Sequence, residues 1–347
     1  MKAAVLTGIE NLEIREIEMP SLKTGELLIR IGACAICKTD VKMFYSGQCD
    51  LRLPRVLGHE VSGTIIEVGK NIDEFDEGER VQIAPGSPCG SCSFCIGGAS
   101  NMCERMSIMG FHHDGGFAKY MVVPADAVRN GCVNRIPKDL PFEEACLAEP
   151  IACCINGQER CQIKLGDVVA IFGAGPIGHM HAQLSKLFGA SEIIFIENSS
   201  ERIAFFKKNV DSCEIIDPRE VDVINVVKEM TDGAGADVVI PACSSPEIIV
   251  QGIRMLKKRG RIVFFSGLPN EHKNISIDHN LLHYKEIQVC GAYGCTSEQN
   301  RKAVNLLSKR KINVNYLITE RISLDGIIRG FELITAHKAM KVVVTEF

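Results

Sequence analysis

Four cysteines within fifteen residues, Cys89, Cys92, Cys95 and Cys103, follow the spacing Cys-x2-Cys-x2-Cys-x7-Cys. Thiolates this close suit tetrahedral zinc, and four of them close its coordination shell, so such a metal braces structure and leaves no position for a substrate. Its binding would contribute folding free energy to a stretch that otherwise holds little regular structure, roughly 86–116. An iron–sulfur cluster uses the same donors, but the usual ferredoxin runs are spaced differently. A second group is dispersed: Cys37-Lys-Thr39-Asp40, Gly58-His59-Glu60 and Glu149-Pro150. One thiolate, one imidazole and one or two carboxylates make a three-ligand set with an open fourth position, where zinc can polarise an alcohol oxygen and lower its pKa. Mn2+ or Fe2+ is the competing occupant of so carboxylate-rich a set.

A third stretch handles phosphate. The apolar run Val168–Phe172 leads into Gly173-Ala-Gly175-Pro-Ile-Gly178, and a helical pattern follows. In this strand–turn–helix context the first glycine allows the tight turn, the second lets backbone approach a pyrophosphate, and the third lets helix pack closely on strand. The new helix points its free N–H groups and positive dipole end at the anion. Glu197 stands where an acidic residue is needed for the adenosine ribose, and its charge opposes a 2′-phosphate, which favours NAD over NADP.

The elements that must position these groups fall into two patterns. Residues 1–85 read as short strands with glycine punctuation: a hairpin from Ala3–Leu6 and Leu12–Ile17, then Glu26–Ala35, Val61–Val68 and Arg80–Ala84, as in a partly barrel-like β domain. Phe117–Pro124 resumes as a strand, and a short helix is expected over Phe142–Ala148. From Ile151 the period changes to a helix over 151–163 and then alternating strands and helices, which indicates a doubly wound parallel sheet. The tail carries helices near 298–309 and 324–336 and a last strand, Lys341–Thr345, and is assigned back to the first domain.

Composition excludes some classes. A length of 347 residues suggests two domains, 46% hydrophobic and 24% charged residues are ordinary for a globular chain, and a net charge of −4 argues against a general nucleic-acid binder. There is no 18-residue apolar run, and the N-terminal residues lack a signal-peptide core, so a cytoplasmic protein with no membrane partner is expected. Sixteen cysteines in such a chain are no secreted disulfide framework; the eleven outside the two constellations read as small core residues.

Cys37-x-Thr39-Asp40, Gly58-His59-Glu60, the four-cysteine segment, Gly115-Gly-Phe-Ala118, Glu149-Pro150 and the glycine turn occur together in one order and spacing. In these motifs the chain resembles, essentially end to end, the zinc-dependent medium-chain alcohol and polyol dehydrogenase superfamily. The resemblance implies an α/β fold: a Rossmann doubly wound parallel sheet over 152–292, plus a GroES-like β-rich catalytic domain formed from the N- and C-terminal segments 1–151 and 293–347, with a structural-zinc lobe at 86–104. It implies one catalytic and one structural Zn2+ per chain, NAD as cofactor, an active site in the cleft, and a homodimer or homotetramer.

Carried over by position, Cys37 and His59 ligate catalytic zinc, Glu60 ligates it or holds its water, and Glu149 joins in some states. Thr39 relays the alcohol proton, and Asp40 orients a ligand. Cys89, Cys92, Cys95 and Cys103 hold the structural zinc; Gly173, Gly175, Pro176, Ile177, Gly178, Glu197 and Arg202 bind the dinucleotide. Glu149 stands where alcohol dehydrogenases have a second cysteine and polyol dehydrogenases a glutamate, so a sorbitol dehydrogenase-like or galactitol-1-phosphate dehydrogenase-like substrate is expected. Lys42, Arg52 and Arg55 are candidate partners for a substrate phosphate. Lys42 replaces a frequent relay histidine, Lys119 and Glu79 replace a usual Glu and Asp, and Gly86 stands where threonine dehydrogenases carry a histidine. L-Threonine or another secondary alcohol is the alternative substrate. A zinc-binding interaction protein without activity is the alternative class.

Overall fold

The computed structural model describes residues 1–48 and 50–347. The chain divides into two compact units, one of Met1–Ala152 with Cys295–Phe347, the other of Cys153–Gly294.

The first unit is built on Leu27–Ala35. Its alternating and β-branched residues bury almost every side chain, and it pairs antiparallel with three strands: Tyr120–Val123, Glu60–Val68 and Lys341–Glu346. Arg80–Ile83 and Val133–Arg135 extend the sheet on one side and Ile318–Ser323 on the other. Register shifts at Leu28/Ile29 and Ile31/Ala33 bend the strand, as bulges do where a sheet must curl. At its end Ala35 sits opposite both Glu60 and Val343. Phe117, Leu57, Met43 and Phe331 fill the core beside it. A hairpin of Lys2–Gly8 and Asn11–Glu16 continues into Arg55–Val56 as a separate small sheet.

The second unit is a six-stranded parallel sheet in the order Glu214–Ile216, Glu192–Ile196, Val168–Phe172, Ala236–Pro241, Leu256–Phe264, Gln288–Gly291. In chain order this is 3-2-1-4-5-6, the doubly wound arrangement whose ligand crevice lies at the carboxyl ends of the first and fourth strands. The central strands are buried on both faces, which is why they read as apolar runs instead of alternating. The intervening helices begin where a short polar side chain accepts backbone N–H groups: Ser199 from Arg202, Asp222 from Ile224 and Asn225, Ser245 from Ile248.

Three details depart from the sequence reading. The helix expected from Ile151 begins at Ala148 and runs to Arg160, because Pro150 falls in the first turn, where a missing N–H costs nothing. It follows a shorter helix, Phe142–Ala145. Ile318–Ser323 is a strand: its run of Ile, Thr and charged residues is half-exposed and gives no clean alternation. Of the eleven cysteines read as core, Cys34, Cys132, Cys146, Cys154 and Cys161 are buried, but Cys153, Cys213, Cys243, Cys290 and Cys295 are only partly so, and Cys49 lies outside the described residues. No helix among the described residues is long and apolar enough to cross a membrane.

Candidate functional site

Strand pairing brings the dispersed donors together. Leu27–Ala35 delivers Cys37 just beyond its end, and the partner strand Glu60–Val68 starts with Glu60 immediately after His59. One ligand atom from each of Cys37, His59 and Glu60 lies within 4.8 Å of the others. Asp40, fully buried, fixes the arrangement: its carboxylate accepts the N–H groups of Cys37 (2.9 Å) and Gly58 (3.2 Å) and faces His59 Nδ1 at 3.2 Å. Gly58 makes the turn at φ +93°, and a side chain there would drive into Cys34 Sγ. The Phe111 ring stands edge-on to His59 at 5.7 Å. Thr39 is half-buried in the first turn of the helix Lys38–Ser46. Glu149 is buried in the first turn of its helix but outside the three-donor group; its carboxylate is grouped instead with Cys295.

The electrostatics favour a cation. Burial alone would drive the His59 imidazole toward neutrality, but the Asp40 carboxylate and the Cys37 thiol outweigh it and raise its pKa well above the usual range. Burial raises the Glu60 carboxyl, Lys341 opposes that rise, and nearby Glu149 adds to it. Lys341 Nζ, itself buried, donates to Glu60 Oε1 at 2.6 Å and to the Ile36 carbonyl at 3.2 Å. Glu60 Oε2, although equally close to the ammonium, has no well-directed hydrogen bond and is buried. A soft sulfur donor, an imidazole whose Nδ1 faces a carboxylate at 3.2 Å, and an under-satisfied buried carboxylate oxygen fit a zinc ion.

Sequence reasoning missed Lys341, which lies 281 residues from its partner with no local motif to mark it. Breaking a buried pair leaves an uncompensated charge and costs about 3–5 kcal/mol. Lys341→Met is therefore expected to lower the unfolding free energy of the metal-stripped protein by that amount, read as a lower denaturant midpoint. An unchanged midpoint would mean that Glu60 does not depend on the ammonium.

The second cysteine group lies on a lobe made of short pieces: Gly86–Ser87 paired with Ser107–Ile108, one helical turn at Ser93–Ile96 and another at Ser100–Met102. The sulfurs of Cys89, Cys92, Cys95 and Cys103 come within 4.8 Å of one another. The separations are 3.5 Å for Cys92–Cys95, 3.9 Å for Cys92–Cys103 and 4.0 Å for Cys89–Cys95. A tetrahedron with zinc–sulfur bonds of about 2.3 Å has edges of about 3.8 Å, whereas a disulfide is about 2.05 Å. Backbone N–H groups of Cys89, Ser91, Cys92 and Arg105 point at these sulfurs. The Arg105 guanidinium, hydrogen-bonded to Cys89, lowers that thiol's pKa to about 5, while burial pushes Cys95 up to about 12. The set fits one closed zinc site. Asn130, which the sequence did not single out, ties the lobe down by donating to the Pro88 carbonyl at 2.8 Å.

In the second unit the turn after Val168–Phe172 opens the helix Pro176–Leu187. A Cβ at Gly178 would lie 2.0 Å from the Gly173 carbonyl oxygen, so only glycine allows this approach of helix to strand. Pro176 takes the first helical position, where its fixed φ fits and its missing N–H is not needed. Ile177 follows it, and the Arg202 guanidinium lies beside Gly175. Glu197, buried at the end of Glu192–Ile196, accepts from Ala174 N (2.8 Å), Asn198 N and Ser199 N (both 2.9 Å) and lies 3.5 Å from Arg202. The turn thus presents backbone donors next to an acidic side chain, the furniture of a dinucleotide site.

Comparison with known proteins agrees with this geometry. Residues 23–133 match the model of the alcohol dehydrogenase GroES-like domain, and residues 176–309 match that of zinc-binding dehydrogenases. The chain is 31% identical to a sorbitol dehydrogenase of Halalkalibacterium halodurans, over 99% of each chain. It is 34% identical to an L-threonine 3-dehydrogenase of Pyrococcus furiosus, over 95% of this chain and 94% of that one. A zinc-binding dehydrogenase of Sinorhizobium meliloti, solved with NADP bound, superposes with a TM-score of 0.92 at 30% identity and covers 99% of this chain and 98% of its own.

Proposed function

The chain belongs to the zinc-dependent medium-chain alcohol and polyol dehydrogenases, and from that premise we propose that it oxidises a secondary hydroxyl of a sugar alcohol, or of a sugar-alcohol phosphate, to the ketose with NAD+. The observation that carries the reading is the convergence of Cys37, His59 and Glu60 within 4.8 Å, with one buried carboxylate oxygen lacking a hydrogen bond. When bound, zinc supplies a Lewis acid for the alcohol oxygen and the dinucleotide supplies the hydride acceptor. Cys37 and His59 hold the metal, with Glu60 as third donor and Glu149 in reserve. Asp40 faces His59 Nδ1 at 3.2 Å, which would leave Nε2 as the nitrogen available to a metal. Thr39 carries the hydroxyl proton toward solvent, and Phe111 shields the His59 face from water. Cys89, Cys92, Cys95 and Cys103 hold the structural zinc.

Gly173, Gly175, Pro176, Ile177 and Gly178 cradle the pyrophosphate, and Arg202 neutralises it. Glu197 receives the adenosine ribose and disfavours a 2′-phosphate. A phosphorylated substrate would meet Arg52, since Arg55 is already paired with Asp114 at 2.8 Å. The largely exposed edge strand Gln288–Gly291 suits a homodimer or homotetramer, and the cysteines, all free among the described residues, suit the reducing cytoplasm. A second reading, oxidation of L-threonine, draws on the identity to the Pyrococcus enzyme.

Formation of reduced cofactor, followed by absorbance, separates these readings. Sorbitol, galactitol, their phosphate esters and L-threonine are offered with NAD+ or NADP+, before and after chelation. Turnover of a polyol or its phosphate with NAD+, abolished by the chelator, is expected. Turnover confined to L-threonine would overturn the substrate class, and preference for NADP+ would overturn the role given to Glu197.

A further inference from the structure

The glycine turn leans on a side chain outside its own pattern. His179, directly after Gly178 in the helix Pro176–Leu187, is buried and walled by three aromatic rings. Phe195 stands at 5.5 Å, Phe206 at 5.8 Å and Phe205 edge-on at 5.9 Å. Phe195 comes from the strand Glu192–Ile196 and the other two from the helix Ser200–Asn209, so the box is assembled from both elements next to the turn. Within it the imidazole hydrogen-bonds the backbone of Ala174, the residue between the first two glycines. Burial keeps the ring neutral by pushing its pKa down to about 4, and a neutral imidazole still has one N–H to give to a carbonyl.

Ala174 is therefore held from both sides, with its N–H on Glu197 Oε2 at 2.8 Å and its carbonyl on His179. In a trans peptide the carbonyl and the following N–H point in opposite directions. A carbonyl held on His179 therefore turns the Gly175 N–H the opposite way, away from the aromatic box. We propose that His179 is a positioning residue for the dinucleotide: by anchoring the Ala174 carbonyl it pre-orients the Gly175 N–H toward the pyrophosphate. An apolar side chain would fill the same box and leave this peptide free to rotate, so part of the binding free energy would go into ordering the turn. The inference rests on the reading of the turn as an NAD site.

The test uses the full-length, zinc-replete protein and two kinds of ligand, NADH and ADP-ribose, which carry the pyrophosphate, and adenosine, which does not. NADH affinity is read from its fluorescence and the others by competition. His179→Leu, with His179→Met as a second apolar variant, is expected to weaken NADH and ADP-ribose roughly five- to tenfold, the effect of one hydrogen bond. Adenosine affinity is unchanged, and KM for NAD+ rises at constant kcat. His179→Gln, which restores an N–H donor, recovers most of the lost affinity. Unchanged NADH affinity in the apolar variants would overturn the proposal, as would equal losses for NADH and adenosine, the mark of a merely structural role. A wild-type protein that binds no NADH would instead overturn the cofactor reading beneath it.

Discussion

His59→Ala is expected to lower kcat by at least about a thousandfold, the effect of losing several kcal/mol of Lewis-acid stabilisation from the reacting oxygen. His59 is buried and faces Asp40 at 3.2 Å, and the donors left by its loss, Cys37, Glu60 and the reserve Glu149, include no imidazole. The variant should still bind NADH, because the glycine turn belongs to the other compact unit. Its metal content should fall from two zinc ions per chain to one, since the four-cysteine lobe shares no donor with this group. Metal analysis and NADH titration on the same preparation check all three statements. Turnover near the wild-type level would remove His59 from the reaction.

Cys92→Ser should act through stability. The Cys92 sulfur lies 3.5 Å from Cys95 and 3.9 Å from Cys103. The lobe around it has two-residue strands and single helical turns whose helical residues include no buried side chain, so little but the metal holds it. Structural zinc contributes about 10–16 kcal/mol to the folding of small zinc peptides, and a substantial fraction should be forfeited when one thiolate is lost. The expected result is one zinc per chain lost, a lower melting temperature and early proteolytic cleavage within 86–104. A variant that keeps both zinc ions and the wild-type melting temperature would refute a metal in the lobe.

The fold class was legible because its signals are local and physical. Apolar runs ending in glycine, with helical periods between them, specify buried parallel strands, and the observed 3-2-1-4-5-6 order is the arrangement that such units adopt. The four-cysteine group was equally legible, since four thiols at this 2-2-7 spacing are the donor set of a closed metal site, and the lobe folds to bring them together. Less could be read where position depends on distant pairing. Nothing in the sequence near Lys341 indicates that its strand lies beside Leu27–Ala35, and only that pairing puts its ammonium on Glu60. Glu149 shows the same limit from the other side, for its motif marks a metal ligand while the backbone sets its carboxylate outside the group of three. His179 went unnoticed because a histidine after a glycine pattern carries no signal until the rings around it are placed.

The pairing of Ala35 with both Glu60 and Val343 also bears on how the protein is made. On the ribosome, Cys37, His59 and Glu60 emerge early, and the Lys341 partner follows Glu60 by 281 residues. At about 5–20 residues per second, roughly 15–55 s of synthesis separates them. Throughout that interval the nascent carboxylate has no buried ammonium to meet, and the strand meant to lie beside Leu27–Ala35 is missing. The unit of Cys153–Gly294, contiguous in the chain, can close as it is translated, whereas the unit that encloses Cys37 must wait for the final strand. A metal that meets Cys37, His59 and Glu60 before that moment meets them without the Lys341 ammonium beside Glu60.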